Sequence, residues 1–97
     1  MFRIEFTSDA YDDLDSFRKF DQRRILEEIE AQLTHEPTRE TRKRKRLRSN
    51  PLADWELRVE TFRVFFTVDE ADGVVAVIAI GYKEGNDLYV HGERYEL

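Results

Sequence analysis

The segments WELRV and FRVFFTV, separated by Glu60-Thr61, constrain the fold more than any other stretch of the chain. If Glu60 and Thr61 form a two-residue turn, Val59 faces Phe62, Leu57 faces Val64 and Trp55 faces Phe66. All six residues are apolar and share one face of the hairpin. A slip of one residue would carry charges onto that face, so the pattern selects this register. The opposite face then receives Arg58 against Arg63 and Glu56 against Phe65. Glu-Thr departs from the Asn-Gly chemistry that two-residue hairpin turns favour.

The rest of the chain supplies what such a hairpin needs to pack against. Phe2, Ile4 and Phe6 alternate with Arg3, Glu5 and Thr7, the period of a short half-buried strand. Ala10, Leu14 and Phe17 then recur at helical spacing, with Ser8 or Asp9 as the expected cap and Asp12, Asp13 and Asp15 directed elsewhere. A second helix is expected with Asp21 as its cap, a stripe of Ile25, Ile29 and Leu33 widened by Leu26, and Pro37 as its stop. So few residues join the two helices that an antiparallel pair is expected. Residues 37–54 show no apolar period and read as a basic loop, with a short strand around Lys45–Arg48 closed by Asn50-Pro51. Asp72-Gly73 marks a turn. Val74–Ile80 is unbroken by polar residues, as in a central strand covered on both faces, and Gly81 ends it. Leu88, Tyr89 and Val90 form a last short strand, and His91-Gly92 turns the chain back. The expected fold is α+β in one domain, residues 1–97. An N-terminal strand and a two-helix hairpin pack on a mainly antiparallel sheet of four to five strands.

Charge is unevenly distributed. The chain carries −5 overall, yet the run RETRKRKRLR from Arg39 to Arg48 carries +6, leaving −11 elsewhere. An acidic protein of this kind can still present a basic surface to phosphates. Ion pairing with the acidic helices is the competing account of the run. Exposed pairs are worth only about 0–1 kcal/mol each and do not call for so dense a cluster. Arg58 opposite Arg63 likewise admits two accounts. Either Glu56 or Glu60 neutralises a destabilising like-charge pair, or Arg63 is a phosphate clamp whose planar fork matches a phosphoryl group.

Other chemistries have less support. The chain has no cysteine, and His35 and His91 lack ligand spacing, so no metal and no cofactor is expected and both histidines read as surface or structural residues. No phosphate-binding glycine loop, nucleophile elbow or spaced carboxylate pair is present. Tyr82 and Tyr89 either stack on bases or pack in the sheet. The N-terminus lacks the apolar run of a signal peptide, and the longest apolar stretch is too short for a bilayer, so a cytoplasmic protein without membrane contact is expected.

In order, strand, two helices, basic loop and antiparallel strands resemble the RelE/ParE superfamily of bacterial type II toxins. The segments LRSNPLADWELRVETFRVFF and VVAVIAIGYKEGNDLY carry the likeness. The resemblance implies a toxin neutralised by a cognate antitoxin, with operator DNA bound only by the toxin–antitoxin complex. Three activities go with it: metal-independent cleavage of mRNA on the ribosome by attack of the substrate 2′-OH, poisoning of DNA gyrase, or catalytic weakness with a role as antitoxin partner and co-repressor. It assigns catalytic roles to Arg63, Lys83 and Tyr89. Lys43, Arg44, Lys45, Arg46, Arg48 and Arg58 become RNA-phosphate contacts. Lys83 where the superfamily has arginine, Asp87 beside it and the acidic segment GERYEL depart from the pattern.

Overall fold

A computed structural model describes residues 1–97. The elements are β1 (Arg3–Phe6), α1 (Ser8–Asp15), α2 (Lys19–Leu33), β2 (Arg44–Arg46), β3 (Trp55–Val59), β4 (Phe62–Asp69), β5 (Val74–Glu84), β6 (Asp87–Val90) and β7 (Glu93–Tyr95). Strands β2 to β7 form one antiparallel sheet in sequence order. β1 joins it parallel to the first part of β5, pairing Arg3–Phe6 with Val74–Val77. No helix is long and apolar enough to cross a membrane.

The β3–β4 hairpin has the register that its apolar face requires, Trp55 opposite Phe66, Leu57 opposite Val64 and Val59 opposite Phe62. Glu60 enters the left-handed region (φ 55°) to close the turn. Its carboxylate is held by Arg24 Nε at 3.0 Å. With Val75, Val77 and Ile80 of β5, this face packs under Ala10 and Leu14 of α1 and Ile25, Ile29 and Leu33 of α2. We call it the inner face. A smaller cluster covers the outer face, where Phe65, Ala79, Leu88, Val90 and Ala53 are closed over by Leu47, Leu52 and Tyr95. Within Val74–Ile80, Val75, Val77, Ala79 and Ile80 are buried while Val74, Ala76 and Ile78 are half-buried, so the outer cover is only partial.

The sheet has seven strands, more than its apolar pattern discloses. β2 and β7 are three residues each; β2 lies one residue before the start of the short strand expected around Lys45–Arg48, and β7 has no counterpart in the expected elements. β5 also continues through Gly81 to Glu84. A Cβ on Gly81 would stand 2.3 Å from the Tyr89 carbonyl oxygen, so the glycine admits close approach of β6 and does not end the strand. His91-Gly92 does reverse the chain, with φ of 56° and 79°.

The helix starts differ from expectation. α1 begins at Ser8, so Thr7 is its cap; its Oγ1 accepts from Ala10 N at 3.1 Å and donates to Ile78 O at 2.9 Å. α2 begins at Lys19 with no side-chain cap. Asp21 falls within its first turn, where it complements the helix dipole and pairs with Arg18 at 3.2 Å.

Candidate phosphate-binding groove

Two arms and a floor make a groove of about 550 Å³ beside the outer cluster. One arm is residues 45–50, which contribute Lys45, Arg46 and Arg48 to the lining. Asn50 shapes it with four hydrogen bonds, donating to Arg48 O and Ala53 O and accepting from Leu52 N and Ala53 N. The other arm is the β6–β7 hairpin, bringing Asp87, Arg94 and Glu96. Glu56 and Lys83 lie between them. Lys45 pairs with Glu56 across β2 and β3, and Lys83 pairs with Leu88 of the outer cluster, so these side chains share the outer face.

Arg63 stands beside this groove, behind Glu56. Its side chain is only 11% exposed, and its Nε lies 4.0 Å from Glu56 Oε2. Nη1 donates to the carbonyls of Glu60 and Phe62, both at 2.9 Å. Burial pulls the guanidinium pKa down, Glu56 opposes that and Arg58 adds to it. Arg58 is opposite Arg63, exposed and outside the groove, with Nη2 donating to Arg42 O at 3.3 Å. The like-charge pair is thus relieved by Glu56 and by carbonyl acceptors on Arg63.

The basic run divides by environment. Lys45, Arg46 and Arg48 line the groove, and Arg46 also lies over the Trp55 ring, 5.6 Å from its centre. Lys43 is committed to Glu28 of α2, at 3.0 Å. Arg44 is buried opposite Leu57 and donates Nη1 to Gln32 O near the C-terminal end of α2, while its Nε has no partner. Burial lowers its pKa, with Arg39 adding to the effect. Arg44 therefore fastens β2 to the helix and does not line the groove.

Tyr89 is likewise separated from Arg63 and Lys83. It pairs with Tyr82 on the inner face, ring centres 5.3 Å apart, and Tyr82 meets Phe17 edge-on at 6.3 Å. Adjacent positions of a strand point to opposite faces, so Lys83 points away from the Tyr82–Tyr89 pair. The three residues given catalytic roles do not converge.

Around Tyr82 and Tyr89 lies a second cavity, about 770 Å³, also lined by Asp9, Asp12, Asp13 and His91. Asp13 is buried; Oδ2 accepts from Ile80 N at 3.0 Å and Oδ1 lies 2.8 Å from His91 Nδ1. This carboxylate and Glu56 are the residues that sequence reasoning passed over as site groups. Asp13 had a signal: Ala10, Asp13, Leu14 and Phe17 complete the i, i+3, i+4, i+7 face of α1. Glu56 had one too, as the outer-face neighbour of both arginines. No three His, Cys, Asp or Glu side chains are grouped to hold a metal ion.

The family model for the ParE toxin of the type II toxin–antitoxin system parDE matches residues 4–86. Among solved structures, a chain of the RelBE2 toxin–antitoxin complex of Mycobacterium tuberculosis is similar at TM-score 0.73 and 22% identity, over 84% of this chain and 98% of that one. A chain of the archaeal RelE–RelB complex of Pyrococcus horikoshii OT3 is similar at TM-score 0.67 and 26% identity, over 87% and 96%. No curated protein matches the sequence.

Proposed function

The chain belongs to the ParE toxin family of type II toxin–antitoxin systems, and from that premise we propose that it cleaves mRNA on the ribosome through its outer-face groove. The observation that carries this reading is Glu56, a carboxylate bordering a groove of cations and flanked by Arg63 at 4.0 Å.

Cleavage of an RNA phosphodiester by its own 2′-OH needs a base, a proton donor and stabilisation of charge on phosphorus. Glu56 removes the 2′-OH proton, and the 2′-oxygen attacks the adjacent phosphorus. The bond to the 5′-oxygen breaks as the Lys83 ammonium protonates that oxygen, leaving a 2′,3′-cyclic phosphate and a 5′-OH. Lys45, with Arg46 and Arg48, holds the flanking phosphates. Arg63 acts through Glu56: its guanidinium, 4.0 Å away, orients the carboxylate. Tyr89, on the inner face, has no part in this apparatus. The site of action is the cytoplasm, where ribosomes are. A cognate antitoxin neutralises the toxin by bringing acidic groups to the groove; the two solved structures named above are toxin–antitoxin complexes.

Induced expression tests the reading. Wild type should arrest growth and leave mRNA ends bearing cyclic phosphate, Glu56→Gln and Lys83→Ala should relieve both effects, and Tyr89→Phe should stay toxic. Full toxicity of both relieving variants would sink it. A gyrase-directed toxin is the second reading. It is favoured by the way turn carbonyls and Glu56 occupy Arg63, which suits a binding surface better than an open catalytic one. Inhibition of supercoiling by purified gyrase, undiminished by Glu56→Gln, would select it.

A further inference from the structure

The cations around the groove differ in one respect. Lys45, Arg46, Arg48 and Lys83 have no acid within ion-pair distance, whereas Arg94 has two. Its Nη2 lies 2.6 Å from Glu96 Oε1, and its Nε 3.9 Å from Asp87 Oδ1. All three side chains are more than half exposed. Pairs so open to water form and break at little cost, so a better acceptor can replace either acid.

We propose that Arg94 is a latched phosphate contact: Asp87 and Glu96 hold its guanidinium in the free toxin, and a phosphate of a nucleic-acid strand seated in the groove takes their place. This rests on the groove being the RNA site. The latch follows from where Arg94 sits. It lies on the β6–β7 arm, opposite Tyr89 in register, and lines the same groove as Lys45, Arg46 and Arg48. An isolated phosphate gains one contact there and must displace two carboxylates. A strand already bound to the other arm presents its next phosphate at high effective concentration, and the guanidinium fork accepts it in bidentate geometry. The exchange therefore favours a chain of phosphates over a single one.

Anisotropy titrations with a short single-stranded RNA, 2′-O-methylated to prevent cleavage, test this across a range of salt. Arg94→Gln should weaken binding and reduce the slope of log K against log salt by about 0.7, the loss of one phosphate contact. Asp87→Asn with Glu96→Gln should tighten binding by about 3- to 10-fold, the order expected on freeing one exposed cation. Adding Arg94→Gln to that pair should abolish the gain. If the gain persists without Arg94, it reflects overall charge and the latch is wrong. Unchanged affinity and slope in Arg94→Gln also overturn it. Lys45→Ala and Arg48→Ala separate the two levels. If they fail to weaken binding, the groove reading itself falls; if they weaken it while Arg94→Gln does not, the latch alone falls.

Discussion

At Asp13 a carboxylate closes the junction of α1, β5 and the β6–β7 turn, with both oxygens engaged. Asp13→Ala would strand the Ile80 N–H in a buried place. We expect a loss of about 1–3 kcal/mol in urea unfolding, with Asp13→Asn losing less because one acceptor remains. His91→Ala should cost less than Asp13→Ala, since its side chain is 39% exposed. Asp13 was legible in principle, lying on the apolar face of α1, but an acid there reads as solvent-directed until its acceptor duties are known. Arg44 was not legible at all. Seven cations in ten residues look alike in sequence. Only the pairing of Arg44 with Leu57 under the end of α2 distinguishes it. Arg44→Met should therefore leave RNA affinity and its salt slope unchanged, whereas Arg48→Ala should lower both in the same titration.

Among the elements, legibility follows side-chain period. The β3–β4 register could be read because six apolar residues fix it, whatever the turn chemistry. β7 left no such trace, being only three residues long, whereas β2 lies close to the short strand expected around Lys45–Arg48. The fault in β5 left none either: Phe65 pairs with Ala79 and Phe66 with Val77, so Ile78 is the extra residue of a bulge. Gly81 was read as a strand end, but its conformation is ordinary and its value is the contact it permits. Gly81→Ala drives a methyl against backbone, at 2.3 Å from Tyr89 O and 2.9 Å from Val90 Cγ2. β6 must shift to accept it, at a cost of about 1–3 kcal/mol or more. Thermal unfolding should show the loss. RNA affinity should fall with it, because the displaced strand carries the second arm of the groove.

Across the whole molecule, acid and base are divided but tied at a few points, and Glu28 is the chief of them. From α2 it receives Lys43 Nζ at 3.0 Å and Arg24 Nη1 at 3.2 Å, and Arg24 continues to Glu60 in the hairpin turn. Helix, basic loop and hairpin are thus joined through one carboxylate. Its hydrogen bond from Lys43 is the largest cause holding its pKa below the usual glutamate value, with Arg24 contributing and burial opposing. Folding lowers this pKa, so between the folded and unfolded values the unfolded chain binds more protons. The stabilisation is fully present above the unfolded value, about 4.3 for a free glutamate, and disappears as pH falls through the folded one. Melting temperature should accordingly drop below about pH 4.3, and Glu28→Gln should melt lower near neutral pH while losing less on acidification. A parallel drop in both proteins would place the acid sensitivity elsewhere. The same tie bears on the groove, because releasing Lys43 frees the root of the basic arm. Glu28→Gln should then alter RNA affinity even though Glu28 lies outside the groove, a coupling that the anisotropy titration detects at neutral pH without any change in protonation.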